Sequence, residues 1–280
     1  MSDCAIVLFA YNRPAPLRAT IRSLRVALQS LHAVFPMHAQ APLVVAIDGP
    51  RRGLQASEVC DHIQQICHVE LPNAKIKVQA INRGLPAHLI QTLDEVFSNG
   101  EISRAICIED DIELSKTALT ALVAASNRLT SVPSHVLGAS PLQRDGSLEH
   151  QALLLSAGAH FASRMLLSDY VKRFGLDGTR EEGAYGSRDH AAIAKWSSML
   201  AQRANIGVPR GTSQDRIREL AWRLAGTQLY GLPVRLARHR GLWGQHNTPW
   251  YALRTGQLFQ RLDRRPWEII YPLICQSIQP

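Results

Sequence analysis

Short apolar runs recur through the first half of the chain and indicate buried strands. Each run is about five residues long, too brief for a helix, and most of its positions are apolar rather than alternating, which is typical of strands buried on both faces. These runs cover residues 5–9, 43–47, 76–81 and 104–108.

Longer amphipathic stretches lie between these runs and predict helices. Residues 16–31 place Leu17, Ile21, Leu24 and Leu28 on one helical face. The other predicted helices cover residues 55–67, a segment opened by Pro86, and residues 116–128 with Ser115 as N-cap. Strands alternating with helices predict βαβ units, hence an α/β fold with a mostly parallel central sheet flanked by helices.

The second half of the chain is less regular, and we expect it to form a smaller acceptor-side region. A turn at residues 144–146 separates two apolar runs, which favours a pair of strands. Helices are predicted after Ser163, from Asp189 to Arg203, and from Thr212 or Ser213 to Leu224. A glycine-rich loop is expected at residues 175–187, and a last short strand at residues 232–236.

Polar residues follow each strand of the first half. Because carboxyl ends of parallel strands share one edge of an α/β sheet, where ligands bind, we expect these side chains to meet there. The residues are Asn12, Arg13, Asp48, Arg51, Asn82, Arg83, Glu109, Asp110 and Asp111.

Three consecutive acids end the fourth strand. Ionised carboxylates are costly to bury, so Glu109, Asp110 and Asp111 are expected where the strand leaves the sheet. Adjacent like charges repel unless a cation or hydrogen-bond donors offset them. A solvated acidic loop remains one interpretation; an Mg²⁺ or Mn²⁺ ion that bridges to a diphosphate is the other.

Several classes of protein are disfavoured by what the sequence lacks. No GxGxxG motif follows the first strand and no GxxxxGK[ST] motif occurs, which argues against a dinucleotide dehydrogenase and a P-loop NTPase. The five cysteines include no CxxC pair and fit a reducing compartment. No apolar run has the length of a membrane span, and no secretory signal is recognised. We therefore expect a cytoplasmic protein, which could associate peripherally with the inner membrane.

Positive charge is concentrated in the last part of the chain. Residues 201–280 contain twelve arginines, no lysine and four acids, whereas the first 200 residues carry 19 basic and 19 acidic residues. This asymmetry predicts an anionic partner such as a phosphate-bearing substrate or an anionic membrane, with compositional bias as the alternative.

Four segments together resemble GT-A type glycosyltransferases. They cover residues 9–14, 47–49, 82–84 and 108–111, and each closes a predicted strand. The similarity is to the nucleotide-sugar half of bacterial family 2-like transferases and of animal N-acetylglucosaminyltransferase I. It extends over residues 5–128 in order and more loosely to residue 250.

The resemblance implies roles for the residues at the sheet edge. Asp48 would contact the nucleotide base, Arg13 its phosphate or base region, and Asp110 the ribose. Asp111 would be the direct ligand of Mn²⁺ or Mg²⁺, and His246 a further metal or diphosphate contact. The remaining donor-site residues would be Tyr11, Asn12, Asn82, Arg83 and Glu109.

A catalytic base is expected at a helix start in the second half. In the enzymes that this chain resembles, such an aspartate removes the acceptor proton, and Asp215 is the first choice, with Asp189 as the second. For both, favourable electrostatics at a helix N-terminus is the alternative explanation.

We therefore predict a metal-dependent glycosyltransferase, inverting at the sugar, that uses a nucleotide-sugar and a glycan or lipid-linked acceptor. Residues 1–130 would bind the donor, residues 131–250 the acceptor, and residues 251–280 would form a basic tail. Nucleic acid is not expected as a partner. The alternatives are a nucleotidyltransferase and a non-catalytic binding protein on a transferase scaffold.

Overall fold

A computed structural model describes residues 3–50, 54–98, 100–176, 189–207, 211–240 and 260–279. In these ranges the strands are β1 (Cys4–Ala10), β2 (Leu43–Ile47), β3 (Lys75–Val78), β4 (Arg104–Glu109), β5 (Ile112–Leu114), β6 (His135–Gly138), β7 (Ala152–Ser156), β8 (Gln228–Gly231) and β9 (Ala237–His239). The helices are α1 (Pro14–Val34), α2 (Leu54–Glu70), α3 (Leu85–Phe97), α4 (Ala118–Asn127), α5 (Ala157–Phe174), α6 (His190–Arg203), α7 (Gln214–Leu224) and α8 (Trp267–Ser277).

Seven of the described strands form one sheet in the order β3-β2-β1-β4-β7-β6-β8. β3, β2, β1 and β4 are parallel, β7 is antiparallel to both of its neighbours, and β6 is parallel to β8. The predicted α/β class, with a mostly parallel central sheet flanked by helices, is confirmed. Strands from both halves of the chain share this sheet.

Helices cover both faces of the sheet, which explains the continuous apolar runs. Alternate side chains of β1 point to opposite faces. Ile6 and Leu8 pack in a core with residues of α1, α2, α4 and α8. Val7 and Phe9 pack on the other face with residues of α3 and with Trp222 of α7. Because β4 alternates in the same way, Glu109 lies on the α7 side with Cys107.

β5 and β9 form a separate antiparallel pair beside the main sheet. This pair brings the segment after α7 back to the end of β4, and Ile112 lies opposite His239. The predicted strand at residues 232–236 is wrong, because those residues connect β8 to β9.

Two predicted helix caps are also wrong. The N-cap of α4 is Thr117, and the backbone N–H of Ser115 instead donates to Leu236 O. Ser163 lies inside α5, where its hydroxyl donates to Ala159 O, and Ser156 caps that helix. The contact of Ser115 with Leu236 is tertiary, whereas α5 begins earlier in the chain, at its local cap Ser156. Ser213, by contrast, caps α7 as predicted.

In the described ranges, none of the helices combines the length and the hydropathy that crossing a bilayer requires. The predicted glycine-rich loop falls mostly on residues 177–188, outside those ranges.

The loops that follow β2 and β3 touch each other through Gly49. A Cβ on Gly49 would lie 2.3 Å from the carbonyl carbon of Ile81 and 2.6 Å from Gln79 O. Both are backbone atoms, which cannot rotate away as a flexible side chain can. A glycine is therefore required for these two loops to pack together.

Gly49→Ala should lower the free energy of unfolding by about 1–3 kcal/mol, because the added methyl group forces backbone apart. Chemical denaturation measures the loss. Gly207→Ala is the matched control, since nothing lies within 4 Å of a Cβ at Gly207. Equal stability of the two variants would show that the two loops are not in contact in solution.

Candidate functional site

The three acids occupy the exit of β4, as predicted. Glu109 is the last residue of the strand, and Asp110 and Asp111 form the turn that leads into β5. Asp110 and Asp111 are each only 2% exposed. Two adjacent carboxylates at this depth require partners, because an unpaired buried charge is strongly destabilising.

Arg13 bridges the two buried aspartates. Its guanidinium donates to Asp111 Oδ2 at 2.7 Å and to Asp110 Oδ1. The backbone N–H of Tyr11 donates to the other oxygen of Asp110 at 3.1 Å. The first strand-to-helix loop thus neutralises the acids at the end of the neighbouring strand. Asn12, between these two residues, is exposed.

The pKa values of these groups reflect the balance between burial and ion pairing. Burial opposes the charged guanidinium of Arg13, but Asp110, Asp111 and Glu109 outweigh it and raise its pKa. Burial raises the pKa of Asp110 to about 6 even with Arg13 beside it. Burial, together with the negative charges of Asp215 and Asp111, raises the pKa of Glu109 to about 8.

The pKa of Asp111 is shifted in the opposite direction. Burial would raise the pKa of its carboxyl, but His239 and Arg13 outweigh burial and lower it. The same interaction, supported by Glu109 and Asp215, raises the pKa of His239 despite its burial. The acids therefore favour the protonated form of His239, and a metal ion bound at Nδ1 would have to displace that proton.

His239 was not predicted from the sequence. Its Nδ1 atom lies 3.5 Å from Asp111 Oδ1, and both atoms are buried without a hydrogen bond of good geometry. The pairing of β9 with β5 brings it there, and a histidine between two arginines gives no local signal of that pairing. The predicted His246 lies outside the described residues.

These two atoms fit a hard divalent cation. Asp111 Oδ2 is held by Arg13, whereas Oδ1 faces His239 Nδ1 and accepts no hydrogen bond. Carboxylate oxygen and imidazole nitrogen both bind Mn²⁺, and Mg²⁺ accepts one carboxylate with the other positions filled by phosphate and water. Within the described ranges, no group of three or more His, Cys, Asp or Glu side chains has metal-binding geometry.

Asp48 organises the loop between β3 and α3. The carboxylate accepts from the backbone N–H groups of Gly49, Arg83 and Gly84 at 3.0, 2.8 and 3.0 Å. It also accepts from Asn82 Nδ2 at 3.1 Å. A carboxylate has about four acceptor sites, so a nucleotide base would have to displace one of these donors. We therefore expect Asp48 to act on a nucleotide chiefly through the loop that it orders.

Asn82 and Arg83 lie on this loop and at the sheet edge, as predicted. Asn82 Nδ2 also donates to Gly49 O at 3.0 Å, which ties the loop to the end of β2. Arg83 is half-buried, and its Nε atom is buried without a hydrogen bond. Gly84 has φ 75° and precedes α3, a conformation that favours glycine.

The two predicted bases lie in different surroundings. Asp215 is in the first turn of α7, and its charge acts on both Glu109 and His239. The structure therefore brings Asp215 to the acid cluster. Asp189 is exposed at the N-cap of α6, where its carboxylate accepts from Ala192 N at 2.8 Å. This hydrogen bond gives Asp189 a structural role as a helix cap.

Comparison with protein-family models and with curated proteins finds no match. Among solved structures, a TarS structure from S. aureus is 20% identical with a TM-score of 0.32, over 48% of this chain and 21% of that chain. Residues 1–349 of TarS give 13% identity and a TM-score of 0.40, over 82% of this chain and 57% of that chain. This chain thus spans less than two thirds of either TarS chain.

A cytidylyltransferase from Leptospira borgpetersenii is 14% identical with a TM-score of 0.38, over 62% of this chain and 72% of that chain. Similarities this low do not decide the function, which is therefore argued from the site.

Arg13→Gln should destabilise the fold by about 3–5 kcal/mol, because it leaves two buried carboxylates without their counter-charge. Denaturant unfolding measures the loss. Mn²⁺ should raise the melting temperature of this variant more than that of the wild type, since a cation replaces part of the lost charge.

Arg18→Gln is the matched control for this variant. Arg18 lies in α1, the helix that Arg13 immediately precedes, and pairs with Glu70 at 2.7 Å near the surface, where such a pair contributes at most about 1 kcal/mol. A loss at Arg13 no larger than the loss at Arg18 would contradict the role of Arg13.

Proposed function

We propose that the protein is a metal-dependent glycosyltransferase of the GT-A type that moves a sugar from a nucleotide-sugar to a glycan or lipid-linked acceptor, with inversion. The observation that supports this function best is that the charge of Asp215, from the second half of the chain, acts on Glu109 at the end of β4 and on His239.

The residues of this site would have two roles, to hold the metal ion and to accept the proton. Asp111 and His239 would hold Mn²⁺ or Mg²⁺, which when bound supplies positive charge that stabilises the leaving diphosphate. Asp215 would accept the proton of the acceptor hydroxyl as general base, because its side chain is 33% exposed and can reach a bound acceptor. Arg13 would keep Asp111 ionised and oriented.

The nucleotide would bind along the loops that end β1, β2 and β3. Asp110 would meet the ribose, and Arg83, with its buried Nε free of hydrogen bonds, would reach the base or phosphate. Tyr11, Asn12 and Asn82 would line the same edge, and Asp48 would hold the β3–α3 loop in place.

Positive charge near the cation site would favour an anionic acceptor or an anionic membrane surface. Glu113 of β5 contacts three arginines, at 2.7 Å from Arg238, 3.5 Å from Arg240 and 4.0 Å from Arg264. One carboxylate cannot neutralise three guanidinium groups, and Arg264 is 78% exposed. These arginines therefore carry surplus positive charge around Glu113, which follows Asp111 by two positions in the chain.

A thermal-shift panel of UDP, GDP, CDP and TDP, with and without Mn²⁺, tests the function. At least one diphosphate should raise the melting temperature in the presence of Mn²⁺, because a ligand that binds the native state stabilises it. In Asp111→Asn this dependence on Mn²⁺ should disappear while the fold persists. Binding that is unchanged by the metal, or stronger for nucleoside triphosphates with release of diphosphate from them, would contradict the proposal.

Asp215→Asn should leave binding of the diphosphate intact and reduce turnover of the nucleotide-sugar by about 10²–10⁴-fold, the range for a positioned general base. Release of nucleoside diphosphate measures turnover, and Asp189→Asn is the control at a second helix start. Turnover of Asp215→Asn near the wild-type rate would remove Asp215 from catalysis.

A further inference from the structure

His150 lies in the turn before β7 and is packed against α7. Its side chain is 7% exposed. The imidazole ring stacks on Trp222 with 5.8 Å between centroids and 7° between planes. Asp215, Glu219 and Trp222 are spaced four and three residues apart, which places all three on one face of the helix. His150 contacts each of them.

One ring nitrogen of His150 is held by Glu219. His150 Nε2 lies 3.4 Å from Glu219 Oε2, which also accepts from Leu148 N at 3.1 Å. Arg223 donates to the other oxygen at 3.0 and 2.8 Å. Burial would raise the pKa of Glu219, but the hydrogen bonds from His150 and Arg223 lower it. An ionised Glu219 accepts only, so Nε2 must carry the hydrogen.

The other ring nitrogen faces the proposed base. His150 Nδ1 lies 3.9 Å from Asp215 Oδ1 and is buried without a hydrogen bond. Because Trp222 and Glu219 fix the ring, Nδ1 cannot turn towards another partner. A small movement of Asp215 brings the two atoms within hydrogen-bond distance, and catalytic hydrogen bonds are often long before substrate binds.

We infer that His150 is a positioning residue for Asp215, which orients the carboxylate towards the acceptor and takes up the proton that Asp215 removes. This inference rests on the proposed function. The acceptor O–H bond breaks as its oxygen bonds to the sugar, and the proton moves to Asp215. It then passes to His150 Nδ1, and the resulting imidazolium is paired with Glu219. The leaving diphosphate keeps the electron pair of the broken glycosidic bond.

Other charged groups lie near His150 and Asp215. On α7, Arg216 lies 3.6 Å from Glu219, and Arg223 also contacts it. Glu109 of β4 acts on Asp215 from the sheet. Beside His150 in the chain, Glu149 is paired with Arg235. Of the two acids that contact His150, Glu219 is the nearer, at 3.4 Å against 3.9 Å for Asp215.

Nucleotide-sugar hydrolysis tests the catalytic part, with UDP-, GDP-, CDP- and TDP-linked sugars and Mn²⁺. His150→Gln can still donate to Glu219 but cannot take up a proton. It should reduce kcat by about ten-fold or more and leave KM for the donor unchanged. His150→Ala should regain part of this loss on addition of imidazole. His160→Gln, which changes another buried histidine that contacts a carboxylate, at 2.8 Å from Asp94, should show neither effect.

Histidine-selective NMR tests the contact without substrate or metal. The ring-nitrogen resonances of His150 should move in Asp215→Asn and stay unchanged in Asp189→Asn. Unmoved His150 resonances in Asp215→Asn, or full turnover by His150→Gln, would overturn the role of His150. If the wild type hydrolyses none of the sugars and no nucleoside diphosphate binds with Mn²⁺, the proposed function fails and the proton-transfer step fails with it, whereas the NMR result still decides whether His150 contacts Asp215.

Discussion

The ion pairs of Arg13 with Asp110 and Asp111 are the constraint on which the site depends. Two adjacent carboxylates are each 2% exposed at the end of a buried strand, and water cannot offset their charge there. Arg13 supplies one positive charge, and Asp111 raises the pKa of the His239 imidazole beside it despite burial. Burial is the main cause of the raised pKa values of Asp110 and Glu109, and neighbouring carboxylates add to it.

The basic groups beside the acids, Arg13 and His239, come from opposite ends of the sequence. Arg13 immediately precedes α1, and Pro14 fixes the start of that helix, so the β1–α1 loop has little freedom. The positive end of the α1 dipole adds to the attraction for the acids. His239 comes from β9, which pairs with β5 directly after the acids. Asp215 comes from α7, and its charge acts on Glu109.

Much of this arrangement could be predicted from sequence, because strands buried on both faces leave continuous apolar runs. β2 matches its predicted bounds, and β4 ends at the acids as predicted. The burial of Asp110 and Asp111 could not be predicted, because it depends on their ion pairs with Arg13. β8, β9 and His239 could not be predicted, since their positions depend on pairing with strands far away in the chain. The predicted cap at Ser115 is wrong because its backbone N–H pairs with Leu236, far away in the chain. The predicted cap at Ser163 is wrong because α5 begins earlier, at Ser156.

A crystal grown with Mn²⁺ and a nucleoside diphosphate gives the most direct test of the cation site. We expect an anomalous peak for manganese within coordination distance of Asp111 Oδ1 and His239 Nδ1, with Arg13 still on Asp111 Oδ2 and the diphosphate beside the ion. A diphosphate bound at the sheet edge without manganese at Asp111, or manganese bound elsewhere, would contradict it.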